Sequence, residues 1–144
     1  MKEQEIKEMV YANFDKGFHC AESIANAVYQ MFPDKAINCT HFASGFCGGV
    51  GKCKQDICGG LSGAIIAFGG IWGRTQGGEN IDQLVSVTTK ARTCFIQNFK
   101  STKCCDVIEN IKDIKGMENC RDMVAKFASE LYILLKNELN NEYM

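Results

Sequence analysis

Apolar side chains recur at helical spacing along most of this chain. In the first segment they follow the i, i+3, i+4 rule over residues 6–14, and Gly17 then provides a typical C-terminal stop. A second run with the same period starts at about Cys20 and ends before Pro33. The pattern therefore predicts two consecutive amphipathic helices.

The second half of the chain repeats this period. An uncharged, apolar helix is predicted over Ile57–Ile71, with Asp56 as its N-cap. Three amphipathic helices follow, at about residues 79–99, 101–111 and 117–139. No segment shows the sustained period-two alternation that indicates a β-strand.

The helical period is lost between residues 38 and 55, where a glycine-rich stretch predicts a loop that could serve as a hinge or a cover. There is no internal repeat and no low-complexity linker. We therefore predict one all-α, cysteine-rich domain over residues 1–144. We expect a single compact bundle of about five to six helices with a central Gly-rich helix.

Charge and apolar patterning exclude several classes of function. The chain has 16 basic and 17 acidic residues and a net charge of -1, so nucleic-acid binding is not expected. The charged N-terminus lacks the apolar core of a secretory signal, which favours a cytoplasmic location. The uncharged stretch Ile57–Gly73 contains six glycines and is shorter than the ~20 residues of a usual membrane span, so no membrane insertion is expected.

The chain contains nine cysteines, an odd number that argues against a complete set of disulfides. No C-x-x-C motif is present, which excludes thioredoxin-type motifs, zinc knuckles and c-type haem attachment. His19 and His41 lack a partner at helical spacing, and no carboxylate pair suggests acid–base chemistry. The thiols are therefore the candidate chemical groups, although Cys39 and Cys94 are interpreted as small buried hydrophobes.

Four of the cysteines fall at predicted helix starts: Cys20, Cys58, Cys104 and Cys120. Cys58 follows the expected Asp56 cap by two residues, and Cys104 follows the cap candidate Ser101 by three. Unpaired N–H groups and the helix dipole lower a cysteine pKa at such positions. We therefore predict that four helix N-termini surround a cluster of thiolates.

The predicted central helix contains a ridge of small residues formed by Gly59, Gly63 and Ala67. An interior glycine costs about 1 kcal/mol relative to alanine, so the glycines need a compensating role. Such a ridge allows either a neighbouring backbone or a bound cofactor to approach closely. Both interpretations of Gly59 and Gly63 remain open at this stage, and the two roles can coexist.

Four short motifs occur in order along the chain: Gly17-Phe18-His19-Cys20-Ala21, Cys58-Gly59-Gly60-Leu61-Ser62-Gly63, Phe99 with Ser101-Thr102-Lys103-Cys104, and Cys120. Over nearly the whole chain they resemble the C_GCAxxG_C_C family of redox-active proteins. The chain departs from the family pattern in having Gly60 in place of an alanine. It also has five further cysteines: Cys39, Cys47, Cys53, Cys94 and Cys105.

The resemblance implies a redox role, with an iron–sulfur cluster or another metal ion as the expected cofactor. Cys20, Cys58, Cys104 and Cys120 would then act as metal ligands, or as pairs that cycle between dithiol and disulfide. A structural zinc domain and a helical interaction domain with inert cysteines are the alternatives. A redox partner protein or a second copy of the chain are the expected partners. The loop Gly45–Gly51 lacks the strand of a phosphate-binding motif, and no substrate can be named.

Overall fold

The computed structural model describes residues 1–141, which contain six α-helices and one 3₁₀ helix. They are α1 (Glu3–Asp15), α2 (Cys20–Met31), the 3₁₀ helix (Thr40–Phe46), α3 (Gly59–Trp72), α4 (Asp82–Phe99), α5 (Cys104–Ile111) and α6 (Cys120–Asn141). This confirms the all-α fold class, with the 3₁₀ helix bringing the count slightly above the prediction. The last three residues of the predicted domain lie outside the described residues.

Helices α1 and α2 form where the hydrophobic period predicts them. In α1 the buried face includes Ile6 and Val10, which lie one turn apart. In α2 the buried face includes Ile24 and Val28, and Pro33 follows directly after the C-cap. Each helix is therefore stabilised mainly by burying one apolar face against its neighbours.

The core is built around α2, α3 and α6. Helix α2 packs against α1, α3, α6 and the 3₁₀ helix. Helix α3 also contacts α4, and its glycine-rich start is buried. Phe95 makes edge-to-face contacts with Phe99 and Phe127, at ring-centroid distances of 4.9 Å and 5.0 Å. No helix within residues 1–141 is both long and apolar enough to span a bilayer.

Two predicted helix caps are wrong, both for the same reason. Asp56 does not cap α3; Cys58 is its N-cap, and the Asp56 carbonyl instead accepts the backbone N–H of Cys104 at 2.8 Å. Ser101 does not cap α5 directly, because Lys103 occupies that position. The backbone before each helix is engaged in a contact between α3 and α5, which a local pattern cannot reveal.

The last helix starts three residues later than expected, at Cys120 rather than at Met117. Asn119 Oδ1 accepts the backbone N–H groups of Arg121 at 3.1 Å and Asp122 at 3.4 Å. A side-chain oxygen that satisfies free N–H groups in this way defines a helix start. Cys120 is therefore the first residue of α6.

Candidate thiol site

A cavity of about 370 Å³ brings together all four of the predicted site cysteines, Cys20, Cys58, Cys104 and Cys120. Cys58 is the N-cap of α3, and the other three are the first residues of α2, α5 and α6. Four helix N-termini thus meet at one cavity. A larger groove, of about 520 Å³ between α1 and α6, contains no cysteine.

An isolated β-bridge joins the segment before α3 to the segment before α5. Ile57 and Lys103 pair in antiparallel fashion, and the N–H of Cys58 donates to the carbonyl of Thr102 at 2.7 Å. On the other side of the bridge, the N–H of Cys104 donates to the carbonyl of Asp56 at 2.8 Å. Because these are backbone bonds, the two helix starts stay together whatever the side chains do.

Glycines in α3 allow the start of α2 to pack against it. A Cβ on Gly63 would lie 2.1 Å from the carbonyl oxygen of Ala21, and one on Gly59 would lie 3.2 Å from the Cβ of Cys20. These distances support the interpretation that the glycines allow close packing of α2 on α3. Gly59 also lines the cavity, so its predicted role toward a bound cofactor stays a prediction, as does that of Gly63.

Gly60, the residue that departs from the family pattern, faces α6. A Cβ there would lie 3.2 Å from Met123 Sδ and 3.6 Å from a ring carbon of Phe95. The nearest neighbour is the flexible thioether of methionine, which can adapt to small changes in volume. Met123 lies near the start of α6 and also lines the cavity. Its contact with Gly60 therefore packs this wall of the cavity against α3.

The glycine-rich loop forms another wall of the cavity. Residues 48–52 and Lys54 all have positive φ, and among them Val50 (φ 69) is a β-branched residue in the left-handed region. A Cβ on Gly49 would lie 2.5 Å from the Cβ of Cys104, so the loop lies directly against α5. The predicted cover interpretation is consistent with this contact.

One of the four thiols is acidic. The Cys20 thiol donates a hydrogen bond to the sulfur of Cys120, which lowers the pKa of Cys120 from 9.0 to about 7 despite partial burial. The ammonium of Lys54 acts in the same direction. The same hydrogen bond, together with burial, raises the pKa of Cys20 well above its ordinary value. The pair therefore consists of a Cys120 thiolate that accepts a hydrogen bond from the protonated Cys20 thiol.

The prediction that all four cysteines ionise readily is wrong for the other three. Burial raises the pKa of Cys58 to about 12, although the N–H groups of Gly60 and Leu61 favour its thiolate. Burial is also the main cause of the raised pKa of Cys104. Where the sulfur is buried, desolvation raises the thiol pKa by more than the helix N-terminus lowers it. The position of a cysteine in the sequence does not indicate how deeply its sulfur is buried.

Of the five remaining cysteines, Cys47 lines the cavity and the other four occupy different environments. Cys39 is buried, as predicted, whereas the half-buried Cys94 thiol donates to Glu130 Oε2 at 3.1 Å. Cys53 is exposed and its thiol donates to the Gly49 carbonyl at 2.8 Å. Cys105 is adjacent to Cys104 but does not line the cavity, in agreement with the divergence of neighbouring positions on a helix.

Three residues of the cavity lining with polar or reactive side chains were not predicted to lie at the site: Cys47, Lys52 and Lys54. They lie in a loop that has no helical period, so their spacing in the sequence did not indicate that their side chains line the same cavity. His19 also lines the cavity, beside Cys20. Its backbone N–H donates to Glu22 Oε1 at 3.1 Å, which makes it part of the helix cap.

The four thiols have suitable chemistry for zinc or iron. Within residues 1–141, no group of three or more His, Cys, Asp or Glu side chains is placed so that it could hold one metal ion. All nine cysteines lie in this range and each is a free thiol. The ligand role predicted for Cys20, Cys58, Cys104 and Cys120 stays a prediction.

No curated protein and no solved structure matches the chain. Residues 18–132, well over half of the chain, match a family described as "Putative redox-active protein (C_GCAxxG_C_C)". The matched range includes the four motif cysteines and the glycine-rich loop that follows the 3₁₀ helix. With its four motif cysteines gathered at one cavity, the chain belongs to the C_GCAxxG_C_C family.

Proposed function

We propose that this protein is a thiol–disulfide redox protein in which Cys20 and Cys120 cycle between dithiol and disulfide. One observation carries the proposal: the two thiols are hydrogen-bonded to each other at the N-termini of two helices, in a cavity open to a small ligand. A pair of this kind supplies a nucleophile and a second thiol to resolve the intermediate.

The reaction oxidises the protein by two electrons and reduces a disulfide R–S–S–R. The Cys120 thiolate attacks one sulfur of this substrate, forms a mixed disulfide and expels R–S⁻, which takes up a proton. Cys20 then loses its proton and attacks the sulfur of Cys120, which forms the Cys20–Cys120 disulfide and expels the second R–S⁻. The products are one protein disulfide and two R–SH.

The acidity of Cys120 fits the first step. With a pKa of about 7, this thiol is substantially ionised at neutral pH, near the optimum for an attacking thiol. Cys20 keeps its proton until the mixed disulfide forms, because its own pKa is raised while the neighbouring thiolate is present. A dithiol donor, supplied by a partner protein or a small molecule in a reducing compartment such as the cytoplasm, completes the cycle.

Cys58 and Cys104 form the second pair in this proposal. The backbone bridge joins the starts of α3 and α5, so that both thiols line the same cavity, and burial keeps the pKa of both thiols raised. They therefore remain protonated at neutral pH while Cys120 reacts. Their contribution would be to accept the disulfide from Cys20 and Cys120 by exchange.

The first experiment is oxidation of the reduced protein with diamide, followed by non-reducing peptide mapping. We expect a linkage between the peptides of Cys20 and Cys120, loss of two hydrogen atoms, and full reversal by dithiothreitol. Cys120→Ser should abolish the linkage, and the matched variant Cys94→Ser should retain it. A map in which Cys20 and Cys120 stay reduced while other cysteines pair would overturn the proposal.

A second experiment tests the predicted metal centre. Protein purified without oxygen is analysed for iron, sulfide, zinc and visible absorption. If it contains iron and sulfide, and each of Cys20, Cys58, Cys104 and Cys120 is needed to retain them, the cluster interpretation replaces the dithiol. If zinc is bound and its chelation unfolds the chain without any redox signal, the structural zinc interpretation replaces it.

A further inference from the structure

The charged side chains that line the thiol cavity are of one sign. Lys52 and Lys54 belong to the lining, whereas no aspartate or glutamate does. Neither lysine forms an ion pair with a carboxylate among residues 1–141. The remaining lining consists of cysteines, His19, glycines and apolar side chains such as Val107 and Ile108.

The backbone of the loop fixes where these two lysines start. The N–H of Lys52 donates to the Cys47 carbonyl at 2.9 Å, and the N–H of Lys54 donates to the Gly48 carbonyl at 2.8 Å. The Lys54 carbonyl in turn accepts the N–H of Cys105 at 2.8 Å, which anchors the loop to α5. Both lysines have φ of 63, a left-handed conformation that residues other than glycine rarely adopt.

The four helix N-termini add to the positive potential of the same cavity. Each carries partial positive charge from unpaired N–H groups, and an apolar wall strengthens the field at its mouth. The cavity volume of about 370 Å³ lies within the range of small-molecule sites, roughly 300–1,000 Å³. The observations therefore describe a small, apolar, positively charged cavity beside a reactive thiol.

We infer that the substrate of this cavity is a small disulfide that carries carboxylate groups. The inference rests on the proposed thiol–disulfide function and adds its substrate class. Lys52 and Lys54 attract the carboxylates and direct the S–S bond toward Cys120. The bond changes are those given above: the substrate disulfide takes two electrons and two protons and leaves as two carboxylate-bearing thiols.

The experiment compares three disulfides that differ in charge. Reduced protein is mixed with dithiodiglycolate, bis(2-hydroxyethyl) disulfide or cystamine, and formation of the Cys20–Cys120 disulfide is followed by quenched mass spectrometry. The measured quantity is the rate ratio of dithiodiglycolate to cystamine. The rates with both disulfides are proportional to the ionised fraction of Cys120. This fraction therefore cancels in their ratio at one pH, and variants that change the pKa of Cys120 can be compared directly.

The test variant is Lys52→Gln combined with Lys54→Gln. We expect the rate ratio to fall by about tenfold at low salt, because two cations near the reacting bond are removed. The control for removal of a distant charge is Lys136→Gln, which removes one positive charge and lies 16 residues beyond Cys120 on α6, about 24 Å along the helix. Its ratio should equal that of the unmodified chain.

The outcomes separate the inference from the proposal on which it rests. If the disulfides react but the rate ratio is the same in the double variant and the unmodified chain, the inference is overturned and the dithiol function stands. If none of the three oxidises Cys20 and Cys120 while diamide also fails, the proposed function is overturned. If only a protein disulfide reacts, the dithiol function stands and a small-molecule substrate is wrong.

Discussion

Two half-buried thiols at different places in the fold have opposite acidities. Cys120, at the start of α6, has a pKa lowered to about 7, whereas Cys94, in the middle of α4, has a pKa raised to about 12. Both are hydrogen-bonded to a neighbouring side chain, Cys20 and Glu130 respectively. The presence of a hydrogen bond therefore does not decide how a thiol behaves.

What differs is the charge of the partner and the direction of donation. The neutral Cys20 thiol donates to Cys120 and so favours its thiolate. Burial is the largest cause of the raised pKa of Cys94, and this thiol also donates to the Glu130 carboxylate, which would repel a thiolate. Asn98 donates to the same carboxylate at 2.6 Å and holds it in place. The fold thus keeps one thiol reactive and another inert.

The largest expected effect is a difference in alkylation rate between the two thiols. At pH 7 we expect Cys120 to react with iodoacetamide about 10²-fold faster than Cys94, because its thiolate fraction is far higher while its thiolate is somewhat less nucleophilic. Site-resolved mass spectrometry measures both rates in one sample. Cys94→Ser should leave the Cys120 rate unchanged, and equal rates at the two sites would contradict the comparison.

The next effect concerns stability in alkaline solution. Cys58 and Cys94 have pKa values of about 12 in the folded chain, against 9.0 for an ordinary thiol. Above about pH 9 the unfolded chain loses these protons and the folded chain keeps them, so the free energy of unfolding falls as pH rises. The buried Cys58 contributes a slope of about 1.4 kcal/mol per pH unit up to about pH 12, and the half-buried Cys94 contributes a smaller slope because water partly screens its charge.

Urea unfolding under reducing conditions at a series of pH values measures this slope. Cys94→Ser is the matched variant, since serine can still donate to Glu130 but does not titrate in this range. Its stability should fall less steeply above pH 9 than that of the unmodified chain. Identical slopes for the two chains would show that the Cys94 proton is not retained by folding.

A smaller effect is expected when the acceptor of Cys94 loses its charge. Glu130→Gln should lower the pKa of Cys94 from about 12, although burial still holds it above the ordinary value. Each unit of decrease should raise the alkylation rate of Cys94 by roughly threefold, since lower basicity offsets part of the gain in thiolate. The pH dependence of labelling measures this, and the exposed Glu118→Gln serves as the control.

The smallest effect is expected at Lys54. Lys54→Gln should raise the pKa of Cys120 and slow its alkylation at pH 7, on the order of twofold, because an exposed ammonium is strongly screened by water. The difference should shrink further as salt is added. Lys136→Gln should not change the rate. A rate for Lys54→Gln that is unaffected at low salt would show that Lys54 does not act on Cys120.

The hydrophobic period was sufficient to predict most of the fold. It placed the start of α2 at Cys20 and its end before Pro33, because burial of one helical face is a local property of the sequence. It failed at Asp56 and Ser101. Those two residues lie in segments whose backbone bonds join positions far apart in the chain, and such bonds leave no local pattern.

The convergence of the four motif cysteines could be predicted from the sequence, whereas their acidities and the two lysines of the cavity could not. The four motif cysteines do meet at one cavity, and the hydrophobic period placed each of them near a helix start, although the caps predicted for α3 and α5 were wrong. Their acidities could not be predicted, because the enclosure of Cys58 and the donor to Cys120 depend on tertiary packing. Lys52 and Lys54 were missed because the left-handed backbone that brings them to the cavity has no signature in the sequence.

The backbone bridge between Ile57 and Lys103 has a consequence for how this chain can vary in length. It joins the start of α3 to the start of α5 directly, so the position of the site does not depend on the connection between α3 and α4. Residues 73–80 of that connection are all exposed. Insertions or fusion of another domain at this turn should therefore be tolerated, which offers a place to attach a reporter without disturbing the thiols.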